Sequence, residues 1–111
     1  MTETDTAPSL GSGDVPVLAT PRIVALCEAA AIAALAGTLN GADTTVGMRV
    51  QLDHLAPTAV GQSVAAEATL EKVQGRRLTF TVSVSDSRGL VAAGRVTRVV
   101  VDRDRFMEKT L

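Results

Sequence analysis

The feature that most constrains the fold is an apolar segment without a polar face, residues 22–36. Thr20-Pro21 precedes it and predicts a helix start, because a threonine hydroxyl can cap free N–H groups and proline needs no N–H at the first helical position. Alanine, leucine, isoleucine and valine occupy nearly all sides of the segment, and Gly37 or Gly41 can end it. A helix that is apolar all round is a buried helix, so the rest of the chain must cover it.

Four segments after this helix alternate apolar and polar residues with the period of two that is typical of β-strands. They are Met48–His54, Val64–Glu71, Leu78–Ser85 and Leu90–Val101. Short turns at Gln74-Gly75 and Arg88-Gly89 favour antiparallel hairpins. One buried helix followed by four antiparallel strands predicts an α+β fold in which a curved sheet wraps around the helix.

The chain of 111 residues fits one domain, and its ends differ from its middle. Residues 1–14 are rich in Thr, Asp, Ser, Gly and Pro without periodicity, which predicts a flexible N-terminal segment. Residues 15–106 then form the folded domain, and residues 107–111 form a C-terminal tail. A domain this small buries a limited core, so association with a second copy would help to stabilise it.

The composition argues against several classes of protein. The formal net charge is −1 and only two residues are aromatic, which leaves neither a strong electrostatic nor a stacking contribution to nucleic-acid binding. The longest apolar stretch, Ile23–Leu35, is interrupted by Glu28 and is too short to span a bilayer. Cys27 is the single cysteine, which excludes an intramolecular disulfide and suits a reducing compartment. Because the acidic N-terminus does not resemble a secretory signal, we predict a cytoplasmic protein.

Glu28 is the most informative residue for function, because it is the only acid within the apolar helix. Burying an ionised carboxylate without partners is costly, so an acid without a role is not expected there. One interpretation is a structural hydrogen-bond anchor. The other is a carboxylate that faces a pocket and acts as a nucleophile or as a general base.

His54 is the only histidine, and its strand parity places it with Val50 and Leu52 on the face that should meet the helix. A single histidine on an apolar face is more often a satisfied core residue than a catalyst. Because this sheet face and the helix must meet, however, we expect Glu28 and His54 to approach each other. Thr20 is expected to cap the helix, and its hydroxyl would also lie near free N–H groups that suit a developing oxyanion.

Other residues limit the chemistry further. Arg98 shares the parity of Val96 and Val100 in the last strand, where it is either a salt bridge at the rim or a contact for an anionic substrate. Cys27 has no positive neighbour in sequence, which favours core packing over a nucleophile. One histidine and one cysteine make no metal-ligand cluster, and no glycine-rich phosphate loop follows a strand. We therefore predict neither a metal site nor a nucleotide site.

The order of these residues resembles a known family. Val17-Leu18-Ala19-Thr20-Pro21, Glu28 eight residues after the threonine, and His54 within Leu52-Asp53-His54-Leu55-Ala56-Pro57 are similar to the fluoroacetyl-coenzyme A thioesterase-like branch of the hotdog proteins. The resemblance runs from about Gly11 to Phe106. It implies a hotdog fold, a homodimer with active sites near the subunit interface, and hydrolysis of an acyl-coenzyme A to a carboxylate and a free thiol.

The resemblance also implies roles for individual residues. Thr20, Glu28 and His54 match the catalytic triad of the family, and Gly47 and Arg98 match positions that line the acyl site. No metal or redox cofactor is implied, because coenzyme A enters as part of the substrate. The segment ahead of the threonine matches the lid of the family, which carries phenylalanines in the fluoroacetyl-specific enzyme. Here that segment, residues 11–14, has no aromatic residue, so specificity for a fluorinated acyl group is not expected.

Alternative functions stay open from the residues alone. A non-hydrolytic hotdog protein would bind an acyl-coenzyme A or a protein partner, with Glu28 and His54 as a structural pair. Hydration of an enoyl thioester typically uses an Asp-His pair, which the spacing of Thr20 and Glu28 does not match. A purely structural dimerisation domain gives no account of a carboxylate inside an apolar helix.

Overall fold

A four-stranded antiparallel sheet carries one long helix on one face. This computed structural model describes residues 1–111. Its elements in chain order are α1 (Ala7–Leu10), α2 (Thr20–Ala34), β1 (Asp43–His54), β2 (Ala65–Gln74), β3 (Arg77–Asp86), β4 (Gly89–Asp102) and α3 (Arg103–Glu108). The strand order in the sheet is β1-β4-β3-β2, and the long helix on its face is α2. The predicted α+β architecture, with one long helix followed by four antiparallel strands, is confirmed.

The core lies between α2 and one face of the sheet. Residues spaced by four are buried against the sheet: Ile23, Cys27 and Ala31 in the helix, and Leu35 directly after its last residue. Phe80 and four buried valines of β3 and β4 fill the sheet side of this core: Val82, Val84, Val91 and Val96. The opposite side of the helix is open, since Ala29 and Ala33 are exposed and Ile32 is 52% exposed. Within a single chain the helix is not buried on all sides, so that prediction is wrong. The reason is that one sheet covers only one side of a helix.

The protein contains no helix with the length and hydrophobicity that a membrane-spanning segment requires. The longest, α2, has 15 residues, whereas about 20 are needed to span the hydrocarbon core of a bilayer.

A bulge in β1 determines which of its residues face α2. Gly47 pairs with Arg98 and Arg49 pairs with Thr97, so Met48 is an extra residue in the ladder. An inserted residue reverses the alternation of side chains beyond it. The predicted alternation from Met48 to His54 therefore holds only after the bulge. This shift brings both Gly47 and His54, which differ in parity, to the helix side of the sheet.

The N-terminal residues are more regular than their composition suggests. A 3-10 turn covers Glu3–Asp5, and α1 follows it. Thr6 is buried and forms an isolated antiparallel bridge with Leu18. The prediction of an irregular segment is therefore wrong for residues 3–10, because a capping box closes the first turn and backbone pairing attaches the segment to the domain.

Asp5→Asn is expected to lower stability at neutral pH and to have little effect in acid. The Thr2 N–H, followed by the Arg22 guanidinium, holds the pKa of Asp5 below its ordinary value. A carboxyl group whose pKa is lowered by folding adds stability above its unfolded pKa of about 3.9 and loses it as the pH falls through the folded value. Urea unfolding midpoints at several pH values measure this. The gap between wild type and Asp5→Asn should close below about pH 4, and a gap independent of pH would contradict the assignment.

The chain does not become irregular after β4. The carboxylate of Asp102 accepts the Arg105 N–H at 3.0 Å and caps α3, which runs to Glu108. The predicted boundary between the domain and a tail at residues 107–111 falls inside this helix and is wrong there. The physical reason is local, because an aspartate at the N-cap starts a helix directly at the strand end.

Candidate active site

Thr20 and His54 are hydrogen-bonded to each other. Thr20 is the first residue of α2, and His54 is the last residue of β1. The distance between Thr20 Oγ1 and His54 Nδ1 is 2.8 Å. The hydroxyl donates when Nδ1 carries no proton and accepts when Nδ1 carries one. The prediction that the His54 face of β1 meets the helix is confirmed by this contact.

The Thr20 hydroxyl does not cap the helix. Ala19 occupies the N-cap position, Pro21 lies in the first turn, and no side chain accepts a hydrogen bond from that turn. The predicted cap is therefore wrong. The helix begins one residue earlier than the cap assignment requires, and this directs the hydroxyl to the imidazole instead. Proline still lies where its missing N–H costs nothing.

Two cavities share the Thr20–His54 pair as part of their walls. One, of about 270 Å³, lies against the N-terminal segment and is lined by residues 12–15. The other, of about 320 Å³, is lined by residues 55–57. His54 Nε2 is shielded from solvent and has no hydrogen-bond partner in the chain. The imidazole therefore has one engaged nitrogen and one free nitrogen beside spaces large enough for a small acyl group.

Glu28 is held by an arginine from the sheet. Arg98 Nη1 donates to Glu28 Oε2 at 2.9 Å. The same guanidinium donates from Nε to Thr45 Oγ1 at 2.9 Å and from Nη2 to the Thr45 carbonyl at 3.0 Å. The Arg98 side chain is 7% exposed, and that of Glu28 is 34% exposed. Arg98 is therefore not a rim salt bridge but a buried cation that fixes one carboxylate oxygen, while part of Glu28 stays open to a reactant.

Gly47 provides the space for the Glu28 carboxylate. A Cβ at this position would lie 2.5 Å from Glu28 Oε2 and 3.5 Å from Arg98 Nη1. Such a carbon–oxygen distance is far inside van der Waals contact, so a larger residue would have to displace the carboxylate. The predicted acyl-site residues Gly47 and Arg98 thus both contact the region around Glu28, and their contact with a substrate stays a prediction.

Gly47→Ala is expected to lower turnover while leaving the fold intact. The added methyl group meets the far end of a flexible side chain, which can move away at small cost. The carboxylate would then leave its position on Arg98. We expect kcat for thioester hydrolysis to fall about tenfold or more, because misplacing a reacting group by about 1 Å costs up to about a hundredfold. Circular dichroism and steady-state kinetics measure the two parts, and wild-type kcat in a folded variant would refute the role of Gly47.

Glu28 and His54 do not contact each other within one chain, contrary to the expectation from sequence. Thr20 and Glu28 are eight residues apart, which is about 12 Å along the helix axis. Gly47, which lies beside Glu28, is about 20 Å from His54 along β1. Helix and strand therefore run side by side, with Thr20 beside His54 at one end and Glu28 beside Gly47 at the other.

Sequence reasoning missed Thr45 as a member of this site. It binds Arg98 through both its hydroxyl and its carbonyl, so it orients the guanidinium toward Glu28. The sequence contained one indication of this role. Thr45 lies two residues before Gly47, and the alternation of side chains in a strand places both on the same face of β1.

Cys27 lies outside this arrangement of Thr20, Glu28 and His54. Cys27 is buried in the core, which confirms its predicted packing role, and burial raises the pKa of its thiol. A raised pKa keeps the thiol protonated and weakly nucleophilic at neutral pH. No three His, Cys, Asp or Glu side chains lie close enough together to hold a metal ion.

Comparison with known proteins places the chain in a family. The family model of FlK, the fluoroacetyl-CoA-specific thioesterase, matches residues 1–104. The fluoroacetyl-CoA thioesterase of Streptantibioticus cattleyicolor is 33% identical over 93 residues, which span 84% of this chain and 67% of that protein.

Solved structures show the same similarity. The fluoroacetyl-CoA thioesterase FlK superposes with a TM-score of 0.93 at 28% identity, over 99% of this chain and 86% of that chain. A mutant of FlK in complex with fluoroacetate and CoA gives 0.92 at 29% identity, over 98% and 90%. A hot-dog-like protein from Thermanaerovibrio acidaminovorans gives 0.91 at 26% identity, over 99% and 82%. The hotdog fold is thereby confirmed, and the chain belongs to the fluoroacetyl-CoA-specific thioesterase family of thioester hydrolases.

Proposed function

We propose that the protein hydrolyses an acyl-coenzyme A to a carboxylate and free coenzyme A with Thr20, Glu28 and His54. The hydrogen bond between Thr20 and His54 carries this proposal, because it couples a hydroxyl at the helix entrance to the only imidazole of the chain. Thioester hydrolysis needs a group that activates or makes the attack, a donor for the oxyanion, and an acid for the leaving thiolate. Glu28, Thr20 and His54 supply these functions in that order.

In one route Glu28 acts as a general base. Its carboxylate takes a proton from water, and the water oxygen forms a bond to the thioester carbonyl carbon. Thr20 donates a hydrogen bond to the resulting oxyanion. The carbon–sulfur bond then breaks, and the thiolate takes a proton from the protonated His54. Transfer of the proton from Glu28 to His54 restores both groups, so one water and one thioester yield one acid and one thiol.

In the other route the Glu28 carboxylate attacks the carbonyl itself. This forms a mixed anhydride on Glu28 as the thiolate leaves with a proton from His54. A water activated by His54 then hydrolyses the anhydride. A single turnover in isotopically labelled water separates the routes, because only direct attack can leave the label in the Glu28 carboxylate rather than in the product.

The separation of Glu28 and His54 in one chain supports a site shared between two subunits. β1 lies at an edge of the sheet, so its outer backbone groups can pair with another strand. Two antiparallel β1 strands related by a two-fold axis at Gln51 would place Gly47 opposite the partner's His54, because Met48 is the bulged residue and does not count in the ladder. Glu28, which lies against Gly47, would then face the imidazole of the other subunit.

The surface of β1 also favours this pairing. Met48 is 48% exposed and Val50 is 36% exposed in one chain, although both are apolar. Covering such side chains in an interface contributes about 25 cal/mol of favourable free energy of association for each Å² of apolar surface removed from water. The proposed assembly is therefore a homodimer that binds its acyl-coenzyme A substrate at two shared sites. We place it in the cytoplasm, where a free cysteine stays reduced.

The acyl group is proposed to be one other than fluoroacetyl. The cavity beside Thr20 and His54 is walled on the N-terminal side by Ser12, Gly13, Asp14 and Val15. This wall contains a carboxylate and a hydroxyl but no aromatic ring. A wall of this kind suits an acyl group with a hydrogen-bond donor better than a small fluorinated one.

Release of free thiol from a panel of acyl-coenzyme A thioesters tests the proposal. Wild type should release coenzyme A from at least one member, and His54→Ala should be slower by about a hundredfold or more. Thr20→Ser should retain turnover, whereas Thr20→Val should lose most of it because valine has no hydroxyl. Binding of the thioesters without thiol release would identify a non-hydrolytic binding protein instead.

A further inference from the structure

The loop that follows His54 is fixed more firmly than a surface connection usually is. The N–H groups of Leu55 and Ala56 both donate to the Val91 carbonyl, at 2.7 Å and 3.2 Å. Thr58, in the same loop, is 0% exposed. Loops normally run over the surface, so a fully buried threonine four residues after the histidine requires an explanation.

Thr58 connects three parts of the chain. Its hydroxyl donates to Asp86 Oδ2 at 2.8 Å, at the end of β3. Its carbonyl accepts the Leu18 N–H at 2.9 Å. The next residue, Ala59, forms an isolated antiparallel bridge with Val17. Thr58 therefore ties the end of β1 and the turn between β3 and β4 to the segment that leads into Thr20.

Asp86 is a suitable anchor for this connection. Its Oδ1 accepts the Arg88 N–H at 2.8 Å. This bond, followed by the bond from the Thr58 hydroxyl, lowers the pKa of Asp86, so the carboxylate is a charged acceptor at neutral pH. Hydrogen bonds to a charged acceptor are the stronger kind, and this one is attached to a tight turn between two paired strands.

We propose that Thr58 is a positioning residue that sets the distance between Thr20 and His54. It lies four residues after His54 and holds, through Leu18, the backbone two residues before Thr20. Thr58 does not line either cavity at the pair, so it acts through these neighbours and not on a substrate. The kinetic part of this inference rests on the proposed hydrolysis, whereas the geometric part does not.

Thr58→Val tests the inference because it removes the hydroxyl and keeps the side-chain shape. We expect kcat to fall about tenfold or more while KM changes less than about twofold, since the reacting groups move but the cavities stay. Thr58→Ser should restore kcat to near the wild-type value. Thr38→Val is the matched control, because it removes a hydroxyl that donates to Leu35 outside the site, and it should leave kcat unchanged.

The single histidine allows a second readout that does not need activity. The ¹⁵N chemical shift of His54 Nδ1 reports its hydrogen bond to Thr20, and we expect it to change in Thr58→Val but not in Thr58→Ser or Thr38→Val. An unchanged Nδ1 shift together with wild-type kcat in Thr58→Val overturns the inference and leaves the proposed function standing. A changed shift without hydrolysis by wild type supports the positioning role and refutes the function instead.

Should Thr58→Val fail to fold, Asp86→Asn takes its place. The amide keeps an oxygen that can accept from the Thr58 hydroxyl but removes the charge, so an intermediate fall in kcat and a smaller change in the Nδ1 shift are expected. Wild-type values of both quantities in a folded Asp86→Asn would overturn the inference.

Discussion

Glu28→Gln is expected to lower kcat for thioester hydrolysis by about a hundredfold or more. Glutamine has nearly the same shape, and its amide oxygen can still accept from Arg98 Nη1, so the side chain should stay in place. The amide can neither take a proton from water nor attack a carbonyl. Stability should fall by only about 1 kcal/mol, because a charge-assisted hydrogen bond becomes a neutral one. Initial rates of thiol release and urea unfolding curves measure the two quantities.

The matched control is Glu71→Gln on the outer face of the sheet. Glu71 also accepts from a threonine, Thr81, and pairs with an arginine, Arg95, at 3.7 Å. It is an acid in a similar setting but away from the helix, so its replacement should leave kcat unchanged. Equal losses of activity in the two variants would mean that Glu28 matters only as one more surface ion pair.

Gly94→Ala is expected to have the largest effect on stability of any small substitution in the sheet. Gly94 pairs with Leu52 of β1 and with Val82 of β3. A Cβ there would collide with the Gln51 carbonyl and would lie 2.8 Å from the Leu52 Cα. Backbone atoms of a paired strand cannot rotate away, so the ladder between β1 and β4 must open. We expect a loss of about 3 kcal/mol or more, a large part of the 5–15 kcal/mol typical of a domain.

Comparison with Gly47→Ala isolates the cause of this effect. Both glycines lie in the β1–β4 ladder, but one faces a flexible carboxylate and the other faces backbone. Gly47→Ala should therefore unfold at only a slightly lower urea concentration than wild type, because Arg98 keeps both of its bonds to Thr45, while Gly94→Ala should unfold far earlier or fail to fold. Similar midpoints for the two alanine variants would show that the close approach of β4 to β1 does not limit stability.

Most of the fold follows from periodicity in the sequence. The apolar run before Gly37 and the alternation in β3 are both predictable, because each element packs one face on the same core. In β3 the residues of that face are all buried: Leu78, Phe80, Val82 and Val84. The bulge at Met48 was not predictable, because it depends on how β1 meets β4 and leaves no mark on the alternation of a short segment. The open side of α2 was missed for a related reason. The apolar residues of a helix indicate that its faces are covered, but they do not indicate whether the same chain or another chain covers them.

Three candidate residues of the site could be selected from the sequence, but Thr45 and the contacts within the site could not. Thr20, Glu28 and His54 stand out because each is an unusual residue in its segment. Arg98 lies seventy residues from Glu28, and nothing local links the two. Their pairing depends on the bulge, which leaves Gly47 as the gap that admits the carboxylate. The expectation that Glu28 meets His54 failed because it ignored the length of helix between Thr20 and Glu28.

We propose that Thr20 and His54 of one subunit and Glu28 of the other form one hydrolytic site. Mixing two inactive variants tests this arrangement most directly. Glu28→Gln and His54→Ala are unfolded together, refolded as a mixture, and assayed for thiol release. A shared site predicts recovery to about one quarter of the wild-type rate, because half of the dimers are mixed and each mixed dimer regains one intact site of two. A mixture as slow as its parents, although mass spectrometry shows mixed dimers, would contradict the proposal.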